Sequence, residues 1–312
     1  MTRFLVTGAS GLLGINFSLH ALARGHQVWG TVNHNGLKNS PFEVLRTDLC
    51  TPGAFARIID LARPDVIIHT AALAVIDACE AQPDLSRRVN AELPGEIAEL
   101  TRKKGLQLVH ISTDAVFDGI EGNYSEDSLP NPLSTYARHK LEGEKAVLGS
   151  NPDAAVARVN FFGWSINGTR SLSEIFYRNL SEGKPIKGFN DIYFCPLMVT
   201  DLAILLMDMA AQGLKGIYHV LSPVYLSKYA FGVLIARQFG FDPGLIISTS
   251  WKEGGLQAVR SPNLILKVDK LMNDLGVTPP EPQDGIGRFY QSWQDGYADR
   301  VRSMLDTGAT AS

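Results

Sequence analysis

Cysteine is scarce: Cys50, Cys79 and Cys195 are the three in 312 residues, far apart and odd in number. That excludes a small disulfide-stapled scaffold and leaves no paired spacing for zinc, so buried thiols in a reducing compartment are expected. Excess charge is missing too. The 29 Lys and Arg stand against 32 Asp and Glu, a net charge of −3, and no basic cluster is longer than Arg102-Lys103-Lys104. With no large positive field to meet a phosphate backbone, nucleic acid is not expected as a partner. Long apolar runs are also absent: the longest, Val66 to Ile76, is too short to cross a bilayer, and no positively charged leader precedes Phe4-Leu5-Val6. A cytoplasmic protein with no membrane partner is expected. The sequence has no repeat at a solenoid period and no low-complexity segment.

What is present is ordinary globular composition, 45% hydrophobic, on a chain long enough for two lobes. Short β-branched apolar runs recur at Arg3 to Thr7, Gln27 to Val32, Phe42 to Thr47, Asp65 to His69, Leu106 to Ser112 and Ala154 to Asn160. Helix-length amphipathic stretches lie between them, at Leu12 to Arg24, Thr51 to Ala62, Asp84 to Lys104 and Ser134 to Leu148. The alternation predicts an α/β fold, a doubly wound Rossmann-type parallel sheet with crossover helices. After Asn160 the rhythm becomes irregular, with turn clusters such as Gly188-Phe189-Asn190-Asp191, and a smaller α/β lobe built mainly from the C-terminal half is expected. The boundaries read as 1–163 for the first domain, with parts of 190–222 returning to it, 164–305 for the second lobe, and 306–312 for a disordered tail. A late helix from Gly285 to about Ser303 places Ile286, Phe289, Trp293 and Tyr297 on one apolar face.

The first strand runs into Thr7-Gly8-Ala9-Ser10-Gly11-Leu12-Leu13-Gly14, a glycine-rich turn that opens a helix. Free amides and the positive end of the helix dipole there suit a phosphate, which points to a dinucleotide cradle. The spacing Gly8-x-x-Gly11-x-x-Gly14 is one residue longer than the usual Rossmann fingerprint, and a tight βα turn is the plainer alternative. No Asp or Glu occurs from Gly25 to Phe42 to hold a ribose 2′-hydroxyl; Asn33, His34 and Lys38 stand there instead. Room for a 2′-phosphate favours NADPH over NADH, although this stretch holds no Arg to decide it. Downstream, Tyr136 and Lys140 are spaced i, i+4 on a predicted helix, so phenol and ammonium share a face and the cation lowers the phenol's pKa. The fifth strand ends in Ile111-Ser112-Thr113-Asp114, hydroxyls at the edge of the sheet where ligands bind.

Glycine turn, strand-end hydroxyl and Tyr-x-x-x-Lys in this order resemble the extended short-chain dehydrogenases/reductases. The resemblance implies Tyr136 as general acid/base, Lys140 lowering its pKa and contacting the nicotinamide ribose, and Thr113 bonding the reacting oxygen. Thr113 is implied rather than Ser112 because it stands three residues before the Val of Val116-Phe117. Cofactor contacts are implied for Gly8, Ser10, Gly11, Leu12, Leu13, Gly14, Asn33, His34, Asp48, Leu49, Ala71, Ala72, Leu73 and Asn90. The plainer readings are a helix N-cap for Asp48 and a helix-surface polar residue for Asn90.

Within that group, Ser112-Thr113-Asp114-Ala115-Val116-Phe117-Asp118-Gly119, Val75 to Glu80, and Arg260-Ser261-Pro262-Asn263 look like signatures of the dTDP-4-dehydrorhamnose reductases. The implied activity is NADPH-dependent reduction of a nucleotide-linked 4-keto-6-deoxy sugar, residues 1–163 binding the cofactor and 164–305 the substrate. Thr113, Asp114, Phe161 and Arg260 are the implied substrate contacts, Arg260 through the diphosphate. Phe161 replaces the Trp usual in its segment and Ala74 a common Thr, while Ala115 stands where dehydratases carry a Glu, which disfavours dehydration. Two alternatives remain: an epimerase on the same scaffold, and a non-catalytic NADP-binding subunit similar to the regulatory subunit of methionine adenosyltransferase. A monomer or homodimer is expected. No acidic cluster is placed to hold a metal, and the scattered histidines read as structural.

Overall fold

The computed structural model describes residues 1–253 and 261–306. Seven strands form one parallel sheet: β1 (Arg3–Thr7), β2 (Gln27–Val32), β3 (Glu43–Arg46), β4 (Val66–His69), β5 (Gln107–Thr113), β6 (Ala155–Val159) and β7 (Gly216–Val220), in the order β7-β6-β5-β4-β1-β2-β3. β1 is flanked by β2 on one side and β4 on the other, so strand order reverses there and a crevice opens beyond their carboxyl ends.

Alternation along the strands sorts the core. Phe4 and Val6 face helices α1 (Leu12–Ala23) and α5 (Val199–Ala211), which pack on each other, while Leu5 faces α2 (Ala54–Ala62), α3 (Leu93–Lys104) and α4 (Thr135–Ser150). Each of these side chains is almost wholly buried, a contribution of about 1.5–3 kcal/mol apiece. The loop leaving β5 bonds to the C-terminal half through Ser261 Oγ on the Phe117 carbonyl (2.7 Å) and Asn263 N on the Gly119 carbonyl (3.1 Å). Residues from the C-terminal half therefore stand at the carboxyl end of the sheet.

The expected helix over Asp84 to Lys104 is three pieces: Pro83–Arg87, a π-helical stretch Arg88–Glu92, and α3. The late helix also breaks, into Pro282–Gln294 and Tyr297–Ser303, at Gly296 with φ +72. Ile286 and Phe289 are buried as expected, Trp293 is 40% exposed, and the turn swings Tyr297 onto Asn16 of α1 (2.8 Å). Gly188-Phe189 ends a strand, Ile186–Phe189, paired with Ile246–Thr249. Asp306, expected in a frayed tail, pairs antiparallel with Gly36; residues 307–312 lie outside the described residues. Cys79 and Cys195 are buried, whereas Cys50 is only partly so. No helix among the described residues is long and apolar enough to cross a membrane.

Candidate active site

The glycine turn lies at the strand-order reversal. Gly8 leaves β1 with φ +68, and a Cβ there would stand 2.9 Å from the Ala71 backbone, so glycine lets the loops after β1 and β4 meet. A Cβ on Gly14 would strike the Gly8 carbonyl oxygen, so α1 starts tight against the turn. Gly11 caps α1 without a side-chain hydrogen bond, leaving the first-turn amides to an anion. This is a cradle that fits a dinucleotide pyrophosphate; Ser10 and Leu12 are partly exposed in it, whereas the Leu13 side chain turns into the core.

The loop after β4 is fixed from two sides. Ala71 N–H donates to Thr7 Oγ1 (3.2 Å); Leu73 N–H donates to Asn90 Oδ1 (3.1 Å), and Asn90 Nδ2 donates back to the Leu73 carbonyl (2.9 Å). Asn90 is fully buried within the π-helical stretch and is not a surface residue. Ala72 lies between the two anchored positions. Asp48 does not cap α2, which begins only at Ala54; its Oδ1 accepts from Cys50 N (2.9 Å), while Leu49 is buried beside it. Asn33 and His34 are exposed just beyond β2.

Beyond β5, Thr113 and Asp114 are buried, at 8% and 3% exposure, and Thr113 Oγ1 bonds Asp114 Oδ1 at 3.2 Å. Asn160 Nδ2 donates to the other Asp114 oxygen (2.6 Å). Burial pushes the Asp114 carboxyl up to about 6, against the Asn160 and Thr113 hydrogen bonds and the Lys228 charge, which favour the ionised form. Helix α4 brings Tyr136 and Lys140 to the same edge. Ser134 caps it by accepting from Ala137 N (3.2 Å), and Glu80 holds Thr135 through both N–H (2.8 Å) and hydroxyl. Tyr136 is half-buried, and its phenol interacts with the Thr113 side chain. Three implied site residues, Thr113, Asp114 and Tyr136, are thereby brought together.

The expected effect of Lys140 on Tyr136 is not what the geometry produces. Burial, then the Asp114 and Cys79 charges, push the phenol well above its ordinary value, and only Thr113 acts the other way. The Lys140 ammonium, 2% exposed, donates to the Ile111 carbonyl (2.6 Å) and lies 3.3 Å from His110 Nε2. Burial lowers it to about 8, opposed by Glu144. His110 stacks on His69, ring centroids 5.2 Å apart, and His69 Nδ1 meets Thr7 Oγ1 at 2.7 Å. Both imidazoles are held neutral by burial first and then the neighbouring Lys140 charge.

Phe161 is partly exposed in the short strand Phe161–Phe162, beside Asn160. Trp164, nearby in sequence, is core: fully buried, it stacks on Phe289 at 4.0 Å and donates to the Phe289 carbonyl (3.2 Å). Arg260 lies outside the described residues. Among the described residues no group of three His, Cys, Asp or Glu is arranged to hold a metal.

Residues 2–294 match the family described as the RmlD substrate binding domain. The chain belongs to this family. It is 29% identical over 294 residues to the probable low-salt glycan biosynthesis reductase of Haloferax volcanii, covering 93% of this chain and 98% of that protein. It is 30% identical over 279 residues to methionine adenosyltransferase 2 subunit beta of Danio rerio, covering 86% and 84%. Among solved structures, dTDP-4-dehydrorhamnose reductase from Bacillus anthracis in complex with NADP superposes with a TM-score of 0.83 at 24% identity, over 93% of this chain and 99% of that one. The Rossmann-type sheet is thus the RmlD fold.

Several groups around this RmlD-type site escaped the sequence. Glu144 and Arg158, each 1% exposed, form a buried ion pair (2.7 Å) that ties α4 to β6, and Ser112 Oγ donates to the same carboxylate. Arg46 comes from β3 to stand over the loop after β2. Neither is signalled by local spacing, because each partner arrives from a different strand or helix. Glu80 was quoted in a family signature, yet its hold on Thr135 spans 55 positions of sequence.

Proposed function

We propose that this RmlD-family chain is an NADPH-dependent reductase of a nucleotide-linked 4-keto-6-deoxy sugar. The observation that carries the reading is the meeting of Thr113 and Tyr136 at the carboxyl edge of β5, beside a glycine cradle that fits a dinucleotide. The cradle residues Gly8 to Gly14, the Ala71–Leu73 loop and the Asp48-Leu49 pair would hold the cofactor, which supplies the hydride when bound.

The remaining steps belong to the protein's own groups. Tyr136, kept protonated by burial and by Asp114, donates its phenolic proton to the alkoxide oxygen that forms at the sugar carbonyl. The Thr113 hydroxyl, whose single hydrogen rests on Asp114 Oδ1, turns to that oxygen to supply a second hydrogen bond, so two dipoles face the developing charge. The proton that Tyr136 gives up is regained from solvent, while Lys140 Nζ, donating to the Ile111 carbonyl, holds the first turns of α4 against β5. Asp114, anchored by Asn160, accepts the Thr113 hydroxyl in the resting site. The partly exposed Phe161 offers an apolar wall to the sugar.

The test is NADPH consumption with a panel of dTDP-, UDP- and GDP-linked 4-keto sugars, wild type against Tyr136→Phe. Turnover that the substitution abolishes supports the reading. Identity to the methionine adenosyltransferase subunit favours one other outcome: NADPH binding with no oxidation on any keto sugar would replace the reductase with a cofactor-binding regulatory subunit. An epimerase would instead interconvert two sugars with no net cofactor consumption.

A further inference from the structure

The stretch from Gly25 to Phe42 holds no arginine, yet the fold delivers one to the end of β2. β3 runs parallel to β2 with Arg46 opposite Val32, the last residue of β2. From there the Arg46 side chain reaches Gly36 so closely that a Cβ on Gly36 would collide with its terminal nitrogen. The same spot holds a carboxylate: Arg46 Nη2 lies 3.3 Å from Asp306 Oδ2, which is itself 2.8 Å from where a Gly36 Cβ would stand. Asp306 is no chance visitor. Leu305–Asp306 pairs antiparallel with Gly36–Leu37, and Lys38 N–H donates to the Met304 carbonyl (3.0 Å). The C-terminal strand thus closes over the loop Asn33–Lys38 and seats a carboxylate on its guanidinium.

In a doubly wound sheet the carboxyl end of β2 receives the adenosine ribose, where an acid selects a 2′-hydroxyl and a guanidinium selects a 2′-phosphate. We propose that Arg46 reads the adenosine 2′-phosphate, and that Asp306 on the C-terminal strand weakens this recognition by competing for the guanidinium. The inference rests on the cofactor reading above and adds the residues that set its preference. Arg46 remains 57% exposed, so its planar head is open to a phosphate beside the carboxylate. The exposed His34 and Lys38 add polar and positive groups on the same loop. The carboxylate of Asp306 repels a phosphate dianion bound to the shared arginine, and its removal relieves that repulsion.

The experiment is calorimetric binding on the full-length chain with NADP+, NAD+, 2′,5′-ADP and 5′-AMP, for wild type, Arg46→Met and Asp306→Asn. Arg46→Met is expected to weaken NADP+ and 2′,5′-ADP by about 10-fold or more while leaving NAD+ and 5′-AMP within about 2-fold, the loss of one charge-assisted phosphate contact. Asp306→Asn is expected to tighten the two 2′-phosphorylated ligands by about 3-fold and leave the other two unchanged, a surface-charge effect that shrinks in high salt. An Arg46→Met protein that binds all four ligands as wild type does, or loses all four alike, overturns the proposal. So does an Asp306→Asn protein that binds NADP+ no more tightly. Failure of the wild type to bind any of the dinucleotides would overturn the cofactor reading itself, a separate result.

Discussion

Asn90 grips Leu73 by both backbone groups, accepting from its N–H at 3.1 Å and donating to its carbonyl at 2.9 Å. A buried side-chain amide placed this way substitutes for a strand partner where the chain leaves β4, and it fixes the loop that meets Gly8. The π-helical stretch that carries Asn90 adds a residue to the helical turn and so sets the direction of the amide.

Asn90→Ala is expected to remove both hydrogen bonds to the partly buried Leu73 backbone, leaving its N–H without this partner and its carbonyl with Cys79 Sγ, at a cost of about 1–3 kcal/mol, and to weaken dinucleotide binding more than a surface control does. Thermal unfolding and cofactor titration check it. A variant with unchanged melting temperature and unchanged binding would remove Asn90 from the site.

Gly143 of α4 faces Asn90 from the other side. A Cβ there would collide with the Asn90 carbonyl oxygen, a backbone atom that cannot rotate away. Gly143→Ala is therefore expected to destabilise the protein by about 1–3 kcal/mol despite alanine's better helix propensity. Chemical denaturation reads the sign directly: a stabilised variant would show that α4 and the π-helical stretch are not held so tightly.

The buried pair of Glu144 and Arg158 lies one helical turn beyond Lys140. Removing one partner strands the other, so Glu144→Gln is expected to cost about 3–5 kcal/mol, whereas the paired change Glu144→Leu with Arg158→Met recovers much of that loss. Equilibrium unfolding of the single and double variants checks it. A single variant as stable as wild type would mean that the ion pair does not hold α4 to the sheet.

Asp114 and Lys140 bend stability against pH in opposite directions. The Asp114 carboxyl is raised to about 6, so the folded protein binds an extra proton between the ordinary carboxylate value and that point, and stability falls as pH rises through this window. Lys140 is lowered to about 8, so the unfolded chain binds the extra proton above that point and stability rises as pH climbs toward the ordinary lysine value. Relative to wild type, Asp114→Asn should gain stability from about pH 4 to 6, and Lys140→Met should lose it from about pH 8 to 10. Unfolding curves across pH that stay parallel to wild type would contradict both.

The sheet was legible because its strands are short β-branched runs separated by helix-length segments, a pattern that local periodicity carries well. The glycine turn, Thr113 and Tyr136 were legible for the same reason: each belongs to a short motif fixed to a strand end or a first helical turn. What local patterns hid was pairing across the chain. The phenol is shifted by Asp114 and Cys79 rather than by the lysine one turn away, because Lys140 is drawn to the Ile111 carbonyl and the histidines beneath it. Trp164 is core because Phe289, distant along the chain, supplies the ring it stacks on, a contact that local patterns do not register. The helix breaks at Arg88–Glu92 and at Gly296 follow contacts with Leu73 and Asn16, which periodicity alone does not register.

The most direct measurement of the proposed chemistry is single-turnover oxidation of bound NADPH by a nucleotide-linked 4-keto sugar, wild type beside Tyr136→Phe, with cofactor affinity measured on both. The prediction is a rate loss of about 10²–10⁴-fold in Tyr136→Phe with cofactor binding retained, the signature of a lost proton donor. A variant that turns over as fast as wild type would contradict the assignment of Tyr136, and a wild type that binds NADPH but reduces no keto sugar would contradict the reductase itself.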